Sequence, residues 1–196
     1  MFSKRSRTTS WKDFISAHKD VLAGADFFTV EVLTVRRLVT YYVLFFIHLG
    51  SRRVSIAGIA KHPNEEWMEQ IARSATQETW GHLYPCRYVL HDRDTKFCAS
   101  FRPTLADGGV KTIRLPARSP NLNAFAERWV RSVKQECLSK LILFGEGPLS
   151  RTLIEFSAHY HGERNFLTLT TSPTSGRPVE CRHRLGGLLK YYGRVA

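Results

Sequence analysis

Carboxylates are scarce in this sequence. It holds 17 Asp and Glu against 29 Lys and Arg, a formal net charge of +12. With a pI near 9.9, the chain favours polyanionic partners, and nucleic acid is the commonest of these. Cysteine is sparse too: Cys86, Cys98, Cys137 and Cys181 form no CxxC pair, which reads as reduced cytosolic thiols rather than a disulfide framework. His159, His161, Cys181 and His183 follow no standard zinc spacing. The longest apolar run, LVTYYVLFFIHL (38–49), is too short to span a bilayer and is rich in strand formers. The opening MFSKRSRTTSWKD carries basic residues with no apolar segment behind them, so it does not read as a secretory signal. There is no internal repeat and no low-complexity block. What remains, 43% hydrophobic and 23% charged over 196 residues, describes a globular chain with one sizeable core.

Periodicity gives the organisation. Residues 11–22 place Trp11, Phe14, Ile15, His18 and Leu22 at helical spacing, with Ser10 where an N-cap would stand. Residues 24–34, 38–48 and 52–60 read as three strands with short links, an antiparallel meander. A helix over 64–80, a strand over 87–92, a helix over 95–107 and a strand over 109–115 follow. Pro103 would bend or shorten the second of these helices. Residues 120–142 form the clearest helix, and Leu149–His159 another. The rest, rich in Thr, Pro, Gly and Arg, reads as irregular, with LLKYYGRVA as a short closing helix. The expected fold is α/β: a mixed five-stranded sheet with helices on both faces. The expected division is a basic segment with a short helix (1–23), a core (24–162) and a basic tail (163–196).

Three acids stand among strongly apolar neighbours: Asp26 in ADFFTV, Asp92 in YVLHDRDTKF and Glu127 in NAFAERWV. A lone buried carboxylate is costly, so such acids are paired, hydrogen-bonded or bound to a cation. Each taken singly reads as a cap or a salt bridge. Together they form the pattern D-x65-D-x34-E, with the third acid inside SPNLNAFAERWVRSVKQECL. Here the sequence resembles the catalytic core of bacterial insertion-sequence transposases and retroviral integrases, the integrase-core branch of the ribonuclease H-like fold. The resemblance covers about residues 11–165, and SPNLNAFAERWVRSVKQECL is its most specific part.

The resemblance implies that Asp26, Asp92 and Glu127 are the catalytic, metal-binding triad. It implies two Mg²⁺ ions per site, with Mn²⁺ as an alternative. Such a pair suits phosphodiester chemistry, because it activates a water or 3′-hydroxyl and stabilises the leaving oxygen. Carboxylate, water and phosphate oxygens are the donors Mg²⁺ takes. At about 100° per residue, Asn123, Glu127, Arg131 and Lys134 share one face of their helix, and Leu122, Phe125, Trp129 and Val133 the other. In the resembled family basic residues on this helix contact the DNA backbone, so Asn123, Arg131 and Lys134 are the candidate DNA-binding residues. A solvated Glu127–Arg131 pair is the alternative for Arg131. Asp94, before an apolar-periodic stretch, reads as a helix cap or a support for Asp92.

The chain departs from the family in two places. Phe166 stands where relatives carry histidine. About 25 residues precede Asp26, fewer than a recognition domain takes. Two readings therefore stand. One is a DNA strand transferase acting on element ends and target DNA. It would be a homo-oligomer in the bacterial cytoplasm, at the nucleoid, with recognition supplied by a separate chain and no membrane partner. The other is a truncated, inactive remnant that only binds nucleic acid.

Overall fold

The computed structural model describes residues 11–79, 81–115, 124–162 and 179–194. A short helix, α1 (Trp11–His18), leads through one 3₁₀ turn into β1 (Leu22–Leu33). β2 (Leu38–His48) and β3 (Val54–Ala60) complete the expected antiparallel meander. Then follow α2 (Glu65–Ala75), β4 (Tyr88–His91), α3 (Phe101–Asp107), β5 (Lys111–Arg114), α4 (Ala124–Glu136) and α5 (Glu146–Gly162). The five strands lie in the order β3-β2-β1-β4-β5, with β4 and β5 parallel to β1. The sheet is mixed, as its connections dictate: hairpins join the antiparallel part, and helical crossovers join the parallel part.

Helices cover both faces. β1 alternates, so Phe28, Val30 and Val32 pack with Trp129 and Val133 of α4 and Leu153 and Phe156 of α5. Ala23 and Ala25 point the other way, toward Met68 of α2 and Phe101 and Leu105 of α3. β2 lies between neighbours and is buried on both sides, Phe45 facing α4 and Phe46 facing α2 and α3. That double burial explains its continuous apolar run. Gly58 of β3 lets α2 sit close, since a Cβ there would meet the Trp67 ring at 2.7 Å. No described helix is long and apolar enough to cross a membrane.

Four readings of the chain need correction. The helix expected over 64–80 stops at Ala75, although its start is as anticipated, with the Asn64 side chain accepting from the Trp67 N–H at 3.0 Å. The helix expected over 95–107 begins only at Phe101. Pro103 accounts for this. It has no N–H to give to residue 99, so it is tolerated only in a first turn, where donors are unpaired anyway. Asp94 is therefore not a helix cap. The helix expected over 120–142 runs from Ala124 to Glu136 among the described residues, then tightens into a 3₁₀ turn at Leu138–Lys140. Finally, the tail expected to be irregular with a closing helix contains a hairpin, β6 (Val179–Arg184) and β7 (Leu189–Arg194). Leu189 of this hairpin enters the α4-side core, and Arg184 reaches Glu155 of α5 at 2.8 Å.

Candidate active site

Asp26 lies within β1, paired in register with Phe45 of β2. Its position in the alternation is that of Phe28 and Val30, so it emerges on the face that α4 covers. One carboxylate oxygen, Oδ1, accepts the Phe27 N–H at 2.7 Å. Burial, against the pull of that backbone bond, and then the charges of Asp92, Glu127 and Asp94 together push its carboxyl up to about 6. The acids that the sequence spacing singled out thus lie within one another's field.

Asp92 is exposed and follows directly on β4, whose His91 pairs with Ala25 of β1. Its Oδ1 accepts the Asp94 N–H at 2.9 Å. Asp94 repeats the motif two residues on: its Oδ1 accepts the Lys96 N–H at 2.9 Å, while Oδ2 pairs with Lys96 Nζ at 2.7 Å. These are tandem Asx turns, in which short side chains satisfy the backbone locally. Lys96 Nζ also lies 5.4 Å and 5.1 Å from the ring centres of Phe27 and Tyr42. Asp94 is thereby ion-paired, whereas neither Asp92 nor Glu127 forms an ion pair among the described residues. The two aspartates of HDRD differ in their partners: each holds an Asx turn, and Asp94 alone also pairs with a lysine.

His91 secures the end of β4. It is buried, packs on Phe97 at 4.7 Å between ring centres, and donates from Nδ1 to the Asp92 carbonyl oxygen at 2.7 Å. Burial lowers its pKa, so the ring is neutral and Nε2 carries the lone pair, with no partner among the described residues. Glu127 is exposed in the first turn of α4. Arg131 and Lys134 are exposed on the same helix, and no ion pair joins Glu127 to Arg131. Lys134 Nζ stands 6.0 Å from the centre of the Phe28 ring, two residues along β1 from Asp26. Asn123 lies outside the described residues. Lys96 and His91 were not assigned site roles from the sequence. The signal for Lys96 was the D-x-K step after Asp92, hidden by the helical spacing of Phe97, Phe101 and Leu105.

Among the described residues, no group of three His, Cys, Asp or Glu side chains stands close enough to hold a metal ion unaided. The donor chemistry nonetheless fits a hard divalent cation, since the converging groups are carboxylates whose mutual repulsion a cation relieves.

No family model matches the chain, and no curated protein matches it in sequence. Solved structures do match. The catalytic core domain of BIV integrase superposes with a TM-score of 0.54 at 13% identity, covering 74% of this chain and 86% of that one. The catalytic domain of Mos1 mariner transposase gives 0.57 at 13% identity, covering 75% and 76%. A chain of the simian T-cell lymphotropic virus intasome, solved with the PP2A regulatory subunit B56 gamma, gives 0.55 at 12% identity, covering 89% and 67%. Strand order, helices on both faces and these superpositions agree: the chain has the ribonuclease H-like fold of integrase and transposase catalytic cores.

Proposed function

We propose that the chain is a metal-dependent DNA strand transferase of the integrase and transposase type, with Asp26, Asp92 and Glu127 as its metal-holding acids. The observation that carries the reading is the raised Asp26 carboxyl, buried and facing the charges of Asp92, Glu127 and Asp94. A fold gains nothing from such a cluster unless a cation or a reaction uses it. When bound, two Mg²⁺ ions supply activation of a water or 3′-hydroxyl and stabilisation of the leaving oxygen, and Mn²⁺ meets the same donors. Asp26 from β1 and Asp92 from the end of β4 form the shared side of the site, and Glu127 approaches from α4. The Asp94–Lys96 pair and the His91 bond hold the Asp92 turn in place. Arg131 and Lys134, with Asn123 on the same helix by sequence, bind the DNA phosphates. DNA ends and target DNA are the substrates, and a homo-oligomer with a separate recognition chain is the working assembly. The integrase, transposase and intasome chains of the same fold support this setting.

The test is a cleavage and joining assay on plasmid and duplex oligonucleotides. Nicked and joined products are expected with Mg²⁺, lost on chelation and restored by Mn²⁺. Absence of products with either ion, while DNA is still bound, would replace this reading with that of a non-catalytic DNA-binding module.

A further inference from the structure

Away from the acids, the turn between β2 and β3 is flanked by two open cavities of about 470 and 340 Å³. Ser51 and Arg53 line both, so the two cavities adjoin at the turn, and together they are called the trough. Arg52 and His161 line the α5 side, and His48 and His82 the opposite side. Among the described residues, no carboxylate lines either cavity.

The trough is built rather than incidental. His48 Nε2 donates to the His82 carbonyl oxygen at 2.8 Å, and its Nδ1 faces the Cys86 thiol at 3.3 Å. His161 Nε2 accepts the Val54 N–H at 2.8 Å, which leaves the proton on Nδ1. Arg52 occupies the left-handed region at φ 58°, where a non-glycine residue is uncommon. Its guanidinium lies 4.7 Å from the centre of the Phe125 ring, two residues before Glu127 on α4. A planar guanidinium recognises phosphate oxygens in two-point fashion.

We propose that this trough binds the phosphodiester backbone of a DNA strand that continues from the active site. The choice of DNA rests on the function proposed above. Complementary charge and a two-lobed, open shape suit a polymer better than a single small anion. The spacing fits as well. His48 pairs with Ala23 and Phe45 with Asp26, so the trough starts three residues along the strand from Asp26. That is about 10 Å at the usual strand rise, or about three base-pair steps along the axis of a duplex.

The experiment is equilibrium binding of a labelled duplex of arbitrary sequence to the full chain, in chelator, across a salt series. Arg53→Gln is compared with Arg37→Gln, an equal loss of charge at the exposed β1–β2 turn on the far end of the sheet. Arg53→Gln is expected to lower the slope of log K against log salt by about one, and Arg37→Gln to leave it near the parent value. Arg52→Gln serves as the second variant, with thermal melts to confirm folding. Equal slopes for the Arg53, Arg52 and Arg37 variants, with parent binding intact, overturn the trough and leave the catalytic reading standing. A parent that does not bind duplex at low salt overturns both. The expected slopes in a chain that cleaves nothing uphold the trough and overturn only the catalytic reading.

Discussion

Replacing Asp26 with Asn should stabilise the metal-free chain at neutral pH while removing its strand-transfer activity by several orders of magnitude. The Asp26 carboxyl titrates at about 6 in the folded chain against 3.8 for an ordinary aspartate. The unfolded chain releases this proton first as pH rises, so the native state holds more protons between these values. Stability therefore falls as pH rises from about 4 to about 6, and the full penalty stands above that window. At 1.36 kcal/mol per pKa unit, the penalty is on the order of 2–3 kcal/mol. Asn keeps an oxygen that can accept the Phe27 N–H while it removes the charge. The gain should be roughly 5–10 °C in melting temperature at pH 7.5, shrinking toward zero near pH 4. Added Mg²⁺ should raise the melting temperature of the parent and not that of the variant. Melts from pH 4 to 8, with and without Mg²⁺, measure both. A variant no more stable than the parent above pH 6 would mean that burial and the field of its neighbours do not raise the Asp26 carboxyl.

Trp129 should divide sharply between two substitutions. It is fully buried, with ring centres 4.6 Å from Phe45 and 5.6 Å from Phe28. Trp129→Ala should cost about 3–5 kcal/mol, through lost burial and the cavity left behind. Its Nε1 has no hydrogen-bond partner among the described residues. An unpaired buried donor costs ~1–3 kcal/mol, so Trp129→Phe removes a liability along with some packing. It should lie within about 1 kcal/mol of the parent by denaturant unfolding. Because Glu127 lies two residues away on the same helix, Trp129→Ala should lose activity beyond what its stability predicts. If Phe proves as costly as Ala, the indole N–H is satisfied in solution.

Much of this arrangement was readable before any coordinates. The three-strand meander followed from runs of Phe, Val and Ile broken by short polar links, and α4 from its apolar face at Trp129 and Val133. The three acids stood out because carboxylates are rare in the chain and those three sit beside apolar strands or a helix, and the structure brings Asp26 into the field of Asp92 and Glu127. The misreadings share a cause, because helical spacing arose where no helix forms. Phe97 and Phe101 are four apart, yet side-chain oxygens of Asp92 and Asp94 take the N–H groups of residues 94 and 96. Local bonding of that kind competes with a helix. In LLKYYGRVA, Leu189 and Tyr192 are three apart, but pairing with Val179–Arg184 sets the period to two. The position of Lys134 beside Phe28 depends on the packing of α4 across the sheet, which no local pattern records.

The parallel pairing of β1 with β4 also orders events in time. Ala25 meets His91 across 66 residues of chain (91 − 25), whereas β1 meets β2 through a four-residue turn, Leu33 pairing with Leu38. Closing the long loop costs more entropy than closing the hairpin, and distant pairings form slowly. The meander carrying Asp26 is thus the natural nucleus, and Asp92 arrives only when β4 docks. Repulsion between the two acids then acts after the rate-limiting ascent rather than before it. Neutralising Asp26 should slow unfolding by roughly 30- to 160-fold, the full 2–3 kcal/mol, and leave the refolding rate nearly unchanged, the signature of a contact absent from the transition state. Stopped-flow folding in chelator would read it directly: the chain folds first and meets the electrostatic cost of its own chemistry last.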